Sequence, residues 1–308
     1  MEYCFAPLEG ITGSVFRCCY DRHFGGIDVY YTPFVTTRDG GIMKKKEKRD
    51  ILPENNPGLN LVPQIMTNRA HEFIRASEHM EEMGYREVNL NLGCPSGTVV
   101  PKGKGAGFLR HPEELDRFLE EIFDGCPIAI SIKSRIGFSS PEEFPKLLAI
   151  FNRYPVKQLI LHLRTREEMY SGQVHMEAFT YACQNATMPL CYNGDIRTEE
   201  DVKRIQDTVG DVKPVSSVMI GRGFLSYPGF VGNPEKKGDY TDRQRVLAFV
   251  RDLEEVYSRV LFGETPLLFK MKELWSFLKD SFPDGDQLFR RIKKVRRISE
   301  YHRIIDCL

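Results

Sequence analysis

Val88-Asn89-Leu90-Asn91-Leu92-Gly93-Cys94-Pro95-Ser96-Gly97-Thr98, running on into Pro101-Lys102-Gly103-Lys104-Gly105-Ala106-Gly107, decides how the chain is read. Val88, Leu90 and Leu92 alternate with Asn89 and Asn91, the period of a strand, and Gly93 with Pro95 ends it. Cys94 is thereby presented just past the carboxyl end of a strand, where α/β enzymes keep their chemistry. A lone thiol is most often a small, buried, inert group. Here a Gly before it, a Pro after it and a Gly/Lys loop expected to be mobile favour a thiol that works.

Outward from this stretch the chain alternates strands and helices. Before it come strand-like Tyr3 to Pro7, Ile27 to Phe34 and Leu59 to Met66, with helices expected over Ser14 to His23 and from an Asn68 cap to about Met83. After it come a helix over Pro112 to Phe123 and strands at Pro127 to Lys133, Val156 to Leu163, Met188 to Tyr192 and Ser216 to Ile220. Arg38 to Pro57 is the least regular part, and its Lys44 to Asp50 run reads as a solvated face. Eight strands with helices between them over about 220 residues match an α/β fold of the closed (β/α)8 TIM-barrel type, which typically occupies about 250. A doubly wound sheet would need G-x-G-x-x-G after its first strand, and none stands there.

The 308 residues carry 43 basic and 43 acidic side chains, so the protein is not basic all over, and any cationic surface must be local. Eight scattered Cys with neither C-x-x-C nor zinc-like Cys/His spacing predict reduced thiols in a cytoplasmic protein and no metal site. No signal peptide opens the sequence and no apolar run approaches ~18 residues, so a soluble protein with no membrane association is expected.

Past Gly229 the texture changes. A polar linker over Val231 to Asp239 leads to segments of purely helical pattern, which predicts a barrel domain over 1–230 and a small all-α bundle over 240–308. The bundle's last expected helix, Arg290 to Ile298, places Ile292, Val295 and Ile298 on one face and six cations elsewhere. Such a concentration within a neutral protein suits contact with a phosphate backbone, through residues such as Arg291 and Lys294.

The residues at the carboxyl ends of the proposed strands form one polar, cationic rim: Ala6-Pro7, Gln64, Asn91 with Cys94, Lys133 with Arg135, His162 with Arg164, Asn193-Gly194-Asp195, and Gly221-Arg222-Gly223. Any one has a bland explanation, such as Gln64 ending a strand or Asp195 capping a helix. A polar group after six successive strands is harder to attribute to packing. The loops at Asn193-Gly194 and Gly221-Arg222-Gly223 offer backbone N–H groups and a guanidinium where barrels hold phosphate. Gln64 and Lys133 suit a flat heterocycle that becomes anionic on reduction, and together these features suggest FMN.

The motif set Ala6-Pro7-Leu8-Glu9-Gly10-Ile11-Thr12, Asn91-Leu92-Gly93-Cys94-Pro95, Lys104-Gly105-Ala106-Gly107, Lys133-Ser134-Arg135-Ile136-Gly137, His162-Leu163-Arg164-Thr165, Asn193-Gly194-Asp195-Ile196 and Gly221-Arg222-Gly223 resembles, in order, that of the tRNA-dihydrouridine synthases. The likeness runs to about Pro228, and the helical tail is similar in kind to that family's RNA-binding region. It implies reduction of a uridine 5,6 double bond in tRNA, with Cys94 as the acid, FMN as cofactor and NADPH as transient reductant. It further implies that Lys133 and His162 contact the flavin, that Gln64 and Pro7, flanked by Ala6 and Leu8, hold its ring, and that Asn193, Gly194, Asp195, Gly221 and Arg222 serve its phosphate side. Asn91, Arg135 and Arg164 belong with the uracil, and Lys102 and Lys104 with the tRNA strand. No obligate protein partner is evident. Two other readings cover part of the pattern: a small-molecule flavin enzyme of the dihydroorotate dehydrogenase kind, which leaves the basic tail unexplained, and a non-catalytic tRNA-binding scaffold, which leaves Cys94, Lys133 and the phosphate loops unexplained.

Overall fold

Eight short parallel strands close into a ring in the computed structural model, which describes residues 1–38, 42–210, 212, 214–231 and 242–308. They are β1 (Glu2–Phe5), β2 (Val29–Arg38), β4 (Leu61–Met66), β5 (Glu87–Leu92), β6 (Ala129–Arg135), β7 (Leu159–His162), β8 (Leu190–Asn193) and β9 (Ser217–Ile220), with a two-residue β3 (Ile42–Met43) added antiparallel to β2. The ring shuts because β1 pairs on both sides: Phe5 registers with Tyr30 on β2 and with Ile220 on β9. No barrel strand is left with an open edge. Alternation along each strand sends one set of side chains inward, among them Cys4, Tyr31, Val62, Ile160, Cys191 and Met219, and the other set outward against the helices. All eight cysteines are free thiols.

Around the barrel run α1 (Ser14–His23), α2 (Lys45–Ile51), α3 (Ala70–Glu82), α4 (Pro112–Gly125), α5 (Phe144–Phe151), α6 (Met176–Asn185), α7 (Glu199–Val209) and the short α8 (Arg222–Ser226). The stretch expected to be irregular thus contains a helix. It shows no apolar period because only Ile51 is buried on it. What holds α2 is polar: buried Arg17 reaches Asp50 at 3.1 Å and Asn56 Oδ1 at 2.8 Å, and Glu47 accepts from the Thr36 N–H at 2.8 Å. Asn68, expected to cap α3, instead donates from Nδ2 to the Lys102 carbonyl at 3.1 Å.

Beyond the barrel lie α9 (Asp242–Val260), α10 (Glu264–Leu278), α11 (Gly285–Lys294) and α12 (Ile298–Ile305). The expected linker, apart from Val231, and the expected 230/240 boundary fall outside the described residues. The helical part is nonetheless welded to the barrel, because Phe249 of α9 inserts among Phe16, Tyr20 and Phe24 of the α1 region at centroid distances of 5.5, 6.1 and 5.2 Å. Aromatic edges meeting faces in this way add to the area they bury. No helix among the described residues is long and apolar enough to cross a membrane.

The helix expected over Arg290 to Ile298 is interrupted. Three apolar residues at strict three-residue spacing drift around a 3.6-residue helix, and the chain breaks at Val295 to Arg297 so that Ile292 and Val295 are buried and Ile298 half-buried. The freed Val295 carbonyl accepts from Lys272 Nζ, and the Arg296 N–H donates to Glu300 at 2.8 Å. All six cations of the segment remain exposed.

Candidate active site

A cavity of about 480 Å³ opens at the carboxyl ends of the strands, a size that suits a small-molecule site. Its walls include Ala6, Pro7 and Leu8 after β1, Gln64 of β4, Asn91 and Cys94 after β5, and Lys133 and Arg135 of β6. His162 of β7, Asn193, Gly194 and Asp195 after β8, and Gly221 and Arg222 after β9 complete the ring.

Beneath the mouth a ladder of buried amides fixes the geometry. Ser131 Oγ accepts from Asn89 Nδ2 at 2.9 Å, Asn89 Oδ1 accepts from Gln64 Nε2 at 2.7 Å, and Gln64 Oε1 accepts from Asn91 Nδ2 at 2.6 Å. Asn91 Oδ1 in turn accepts from the N–H groups of Gly93 and Cys94, at 3.1 and 3.0 Å. The Asn residues that alternate along β5 therefore build the turn that presents Cys94. Arg135 locks it from the other side, donating from Nε to the Gly93 carbonyl at 2.9 Å and from Nη1 to the Thr165 carbonyl at 2.7 Å.

The loop beyond Cys94 folds down against it. Gly105, with φ of 55°, lies so close that an added Cβ would stand 2.9 Å from the Cys94 carbonyl oxygen and 3.0 Å from its Cβ, and the Ala106 N–H donates to that carbonyl at 3.1 Å. Lys104 turns toward buried Glu72, 4.0 Å away, while Lys102 stays exposed. Neither lysine reaches the cavity.

Electrostatically the mouth is cationic. Burial pulls the Lys133 amine down to about 8, and its Nζ donates to Asn193 Oδ1 at 3.0 Å. Burial, then Arg135 and Lys133, hold the His162 imidazole well below its usual range, so it is neutral at pH 7. Burial also pushes the Cys94 thiol up, against the smaller opposing effect of a backbone hydrogen bond from Ser96, so the thiol keeps its proton.

Arg164, expected among the substrate residues, is buried and lies behind the cavity wall. Its Nε donates to the Ser171 carbonyl at 3.0 Å, its Nη2 to the Gly172 carbonyl at 2.7 Å and to Asp195, and its Nη1 has no partner among the described residues. Asp195 does not cap α7, where Thr198 and Asp201 form the capping box. It sits at a φ of 42° between Arg164 and Arg222, the latter at 2.8 Å. Burial raises its carboxyl, but the two guanidiniums outweigh that and hold it below its ordinary value. Arg291 and Lys294 lie exposed on α11, away from the cavity lining.

Sequence reasoning passed over Tyr170. It is 55% exposed, yet its ring lies 5.9 Å from His162 and under the guanidiniums of Arg135 and Arg222, at 5.4 and 5.1 Å. An aromatic residue in the polar loop after a barrel strand was the available signal. Phe277 of α10 also lines the cavity, a contribution from the helical part.

The donor set accommodates a flat ring with an anionic tail. Lys133 and the Gln64 amide lie at the floor, Arg222 with the N–H groups that open α8 lies to one side, and Pro7 and Leu8 give an apolar edge. At Gly221 an added Cβ would lie 3.3 Å from Ala6 Cβ and 3.4 Å from Leu8 Cδ1, so a side chain there would fill the cradle between the first and last loops.

These features define a (β/α)8-barrel protein with a cationic mouth and a protonated thiol at its lip. The chain belongs to the dihydrouridine synthase family, whose sequence model matches residues 4–296. It is 26% identical over 309 residues, 96% of this chain and 93% of the other, to the tRNA-dihydrouridine(16) synthase of Vibrio parahaemolyticus. A probable tRNA-dihydrouridine synthase 2 from Bacillus subtilis is 27% identical over 267 residues, covering 83% and 79% of the two chains. The crystal structure of a GH18 chitinase from Pseudoalteromonas aurantia superposes with a TM-score of 0.51 at 6% identity, over 75% of this chain and 97% of that one, a likeness of fold alone.

Proposed function

We propose that this protein adds two hydrogens across the 5,6 double bond of a uridine in tRNA, using FMN in the barrel mouth and NADPH as the reductant that renews it. When bound, the flavin supplies hydride chemistry toward uracil C6. The residues of this chain supply the rest. Cys94 holds the proton that C5 requires, on Sγ, and solvent restores it between turnovers. Lys133, cationic at neutral pH, favours negative charge on the ring beside it. Arg222 and the loop amides around it hold a phosphate. Asn91 spends its oxygen on the Cys94 turn, so it places the acid, while Arg135 and Tyr170 face the cavity where a uracil would enter.

The observation that carries this reading is the thiol kept protonated by burial at the lip of a cationic cavity, in a chain of this family. The Vibrio relative's name specifies position 16, so U16 is the uridine to examine first. Purified protein should be yellow and should form dihydrouridine in unmodified tRNA when NADPH is added. Cys94→Ala should retain its flavin and the flavin's reduction by NADPH while tRNA reduction falls about 10²-fold or more. A colourless protein would overturn the cofactor assignment, and a wild-type rate in the variant would move the acid elsewhere.

A further inference from the structure

The helical part carries two large aromatic side chains that nothing in the fold uses. Phe262, in the turn before α10, is 101% exposed, and Phe269, in the second turn of α10, is 67% exposed. Placing such rings in water is unfavourable, and exposed apolar groups beside a functional cavity mark contact surfaces. Phe269, Glu273 and Phe277 form one i, i+4, i+8 ridge of α10, and Phe277 lines the cavity. The ridge therefore leads from the cavity wall out to Phe269, roughly 12 Å along the helix axis. Lys270 anchors the helix to the rim, donating to the Gly10 carbonyl and pairing with Glu273.

Cations stand to one side of this ridge. Lys272, one turn from Phe269, donates to the Val295 carbonyl, which brings the joint carrying exposed Arg296 and Arg297 against α10. Neither arginine makes an ion pair with a described residue. Exposed rings beside cations are the composition of a surface that takes unstacked nucleotides, stacking bases on the rings and neutralising the strand that joins them.

Resting on the reading of the cavity as a tRNA uridine site, we propose that Phe269, with exposed Phe262 of the turn before α10 as a second ring, is a stacking platform for bases of the tRNA strand next to the extruded uridine. Turning one base into the barrel mouth unstacks its neighbours, and an aromatic face at the exit restores part of what they lose. Because stacking releases no counterions, its signature differs from that of a phosphate contact.

The test is a set of tRNA-binding titrations at two salt concentrations on the flavin-loaded full chain, with sedimentation on the same samples. Phe269→Ala and Phe269→Leu should each weaken tRNA binding by about ten-fold with an unchanged salt slope, and Phe269→Tyr should bind like the wild type. Phe262→Ala should act in the same direction. Wild-type affinity in both Phe269→Ala and Phe269→Leu would overturn the platform. So would a change confined to self-association, which would make the ridge a contact between two copies of this chain. A wild-type protein with no affinity for tRNA would instead bring down the underlying functional reading.

Discussion

Asn91 makes three hydrogen bonds with one amide group, and two of them hold the backbone N–H groups of Gly93 and Cys94, the turn that carries the thiol. Asn91→Ala leaves the buried Gln64 oxygen and the half-buried N–H groups of Gly93 and Cys94 unmatched, which should cost about 1–3 kcal/mol of stability. It should also slow tRNA reduction by more than ten-fold through misplacement of the acid, with the flavin retained. Thermal melts alongside single-turnover rates test both parts, and an unchanged melt would mean that the ladder contributes nothing. Lys133 gives a pH prediction. Its folded value near 8 lies below the ~10.4 of an unfolded lysine, so the unfolded chain binds more protons between those values, and stability rises with pH across that window. Stripped of flavin, Lys133→Met should therefore be more stable than wild type at pH 7, by about 1–3 kcal/mol, with the gap closing as pH approaches 10. A gap that widens with pH would contradict the assignment. Lys133 and His162 were legible in the sequence because each lies near the carboxyl end of a strand whose alternation sets its direction, and Cys94 because Gly93 and Pro95 mark the turn just past β5. Arg164 was not, because the chain turns after His162 and alternation no longer says which way a side chain points. Lys104 was hidden by a partner, Glu72, that no local pattern reveals.

At the scale of elements, all eight barrel strands were readable from short apolar runs between turn signals, with ends shifted by a few residues. Helices with an apolar stripe were equally clear, and Ser14–His23 agrees at both ends. The losses came where polar contacts replace that stripe. α2 is held by Arg17 and Glu47, and the break before α12 is stabilised by Lys272 and Glu300, partners from elsewhere in the chain or from the next turn. The seat of α9 on α1 rests on Phe249, which is fully buried. Phe249→Ala removes the ring from a cluster of four aromatic neighbours and should destabilise the protein by about 3–5 kcal/mol. Chemical denaturation of the two proteins measures this, and a difference below about 1 kcal/mol would mean the helical part is only loosely attached.

For the molecule as a whole, zero net charge conceals an uneven distribution. The segment Arg290 to Arg297 gathers six exposed cations, while acidic residues are spread over the barrel helices. Arg291→Ala combined with Lys294→Ala should weaken tRNA binding and reduce the slope of log affinity against log salt by about 1–2, with flavin content unchanged. An unaltered slope would remove α11 from the tRNA-binding surface. Barrel and helical bundle could both be read from the sequence, but their mode of attachment could not, since Phe249 and Phe277 look like ordinary core residues of amphipathic helices.

Phe277 has a consequence for how such a protein can be taken apart or recombined. Because it walls the cavity while its own helix belongs to the tail, the tail is no interchangeable cassette. A hybrid that joined this barrel to a foreign helical segment would inherit a foreign piece of cavity wall. Its turnover would suffer even where both halves folded and bound RNA, so changes in the tail have to be matched by changes in the barrel rim.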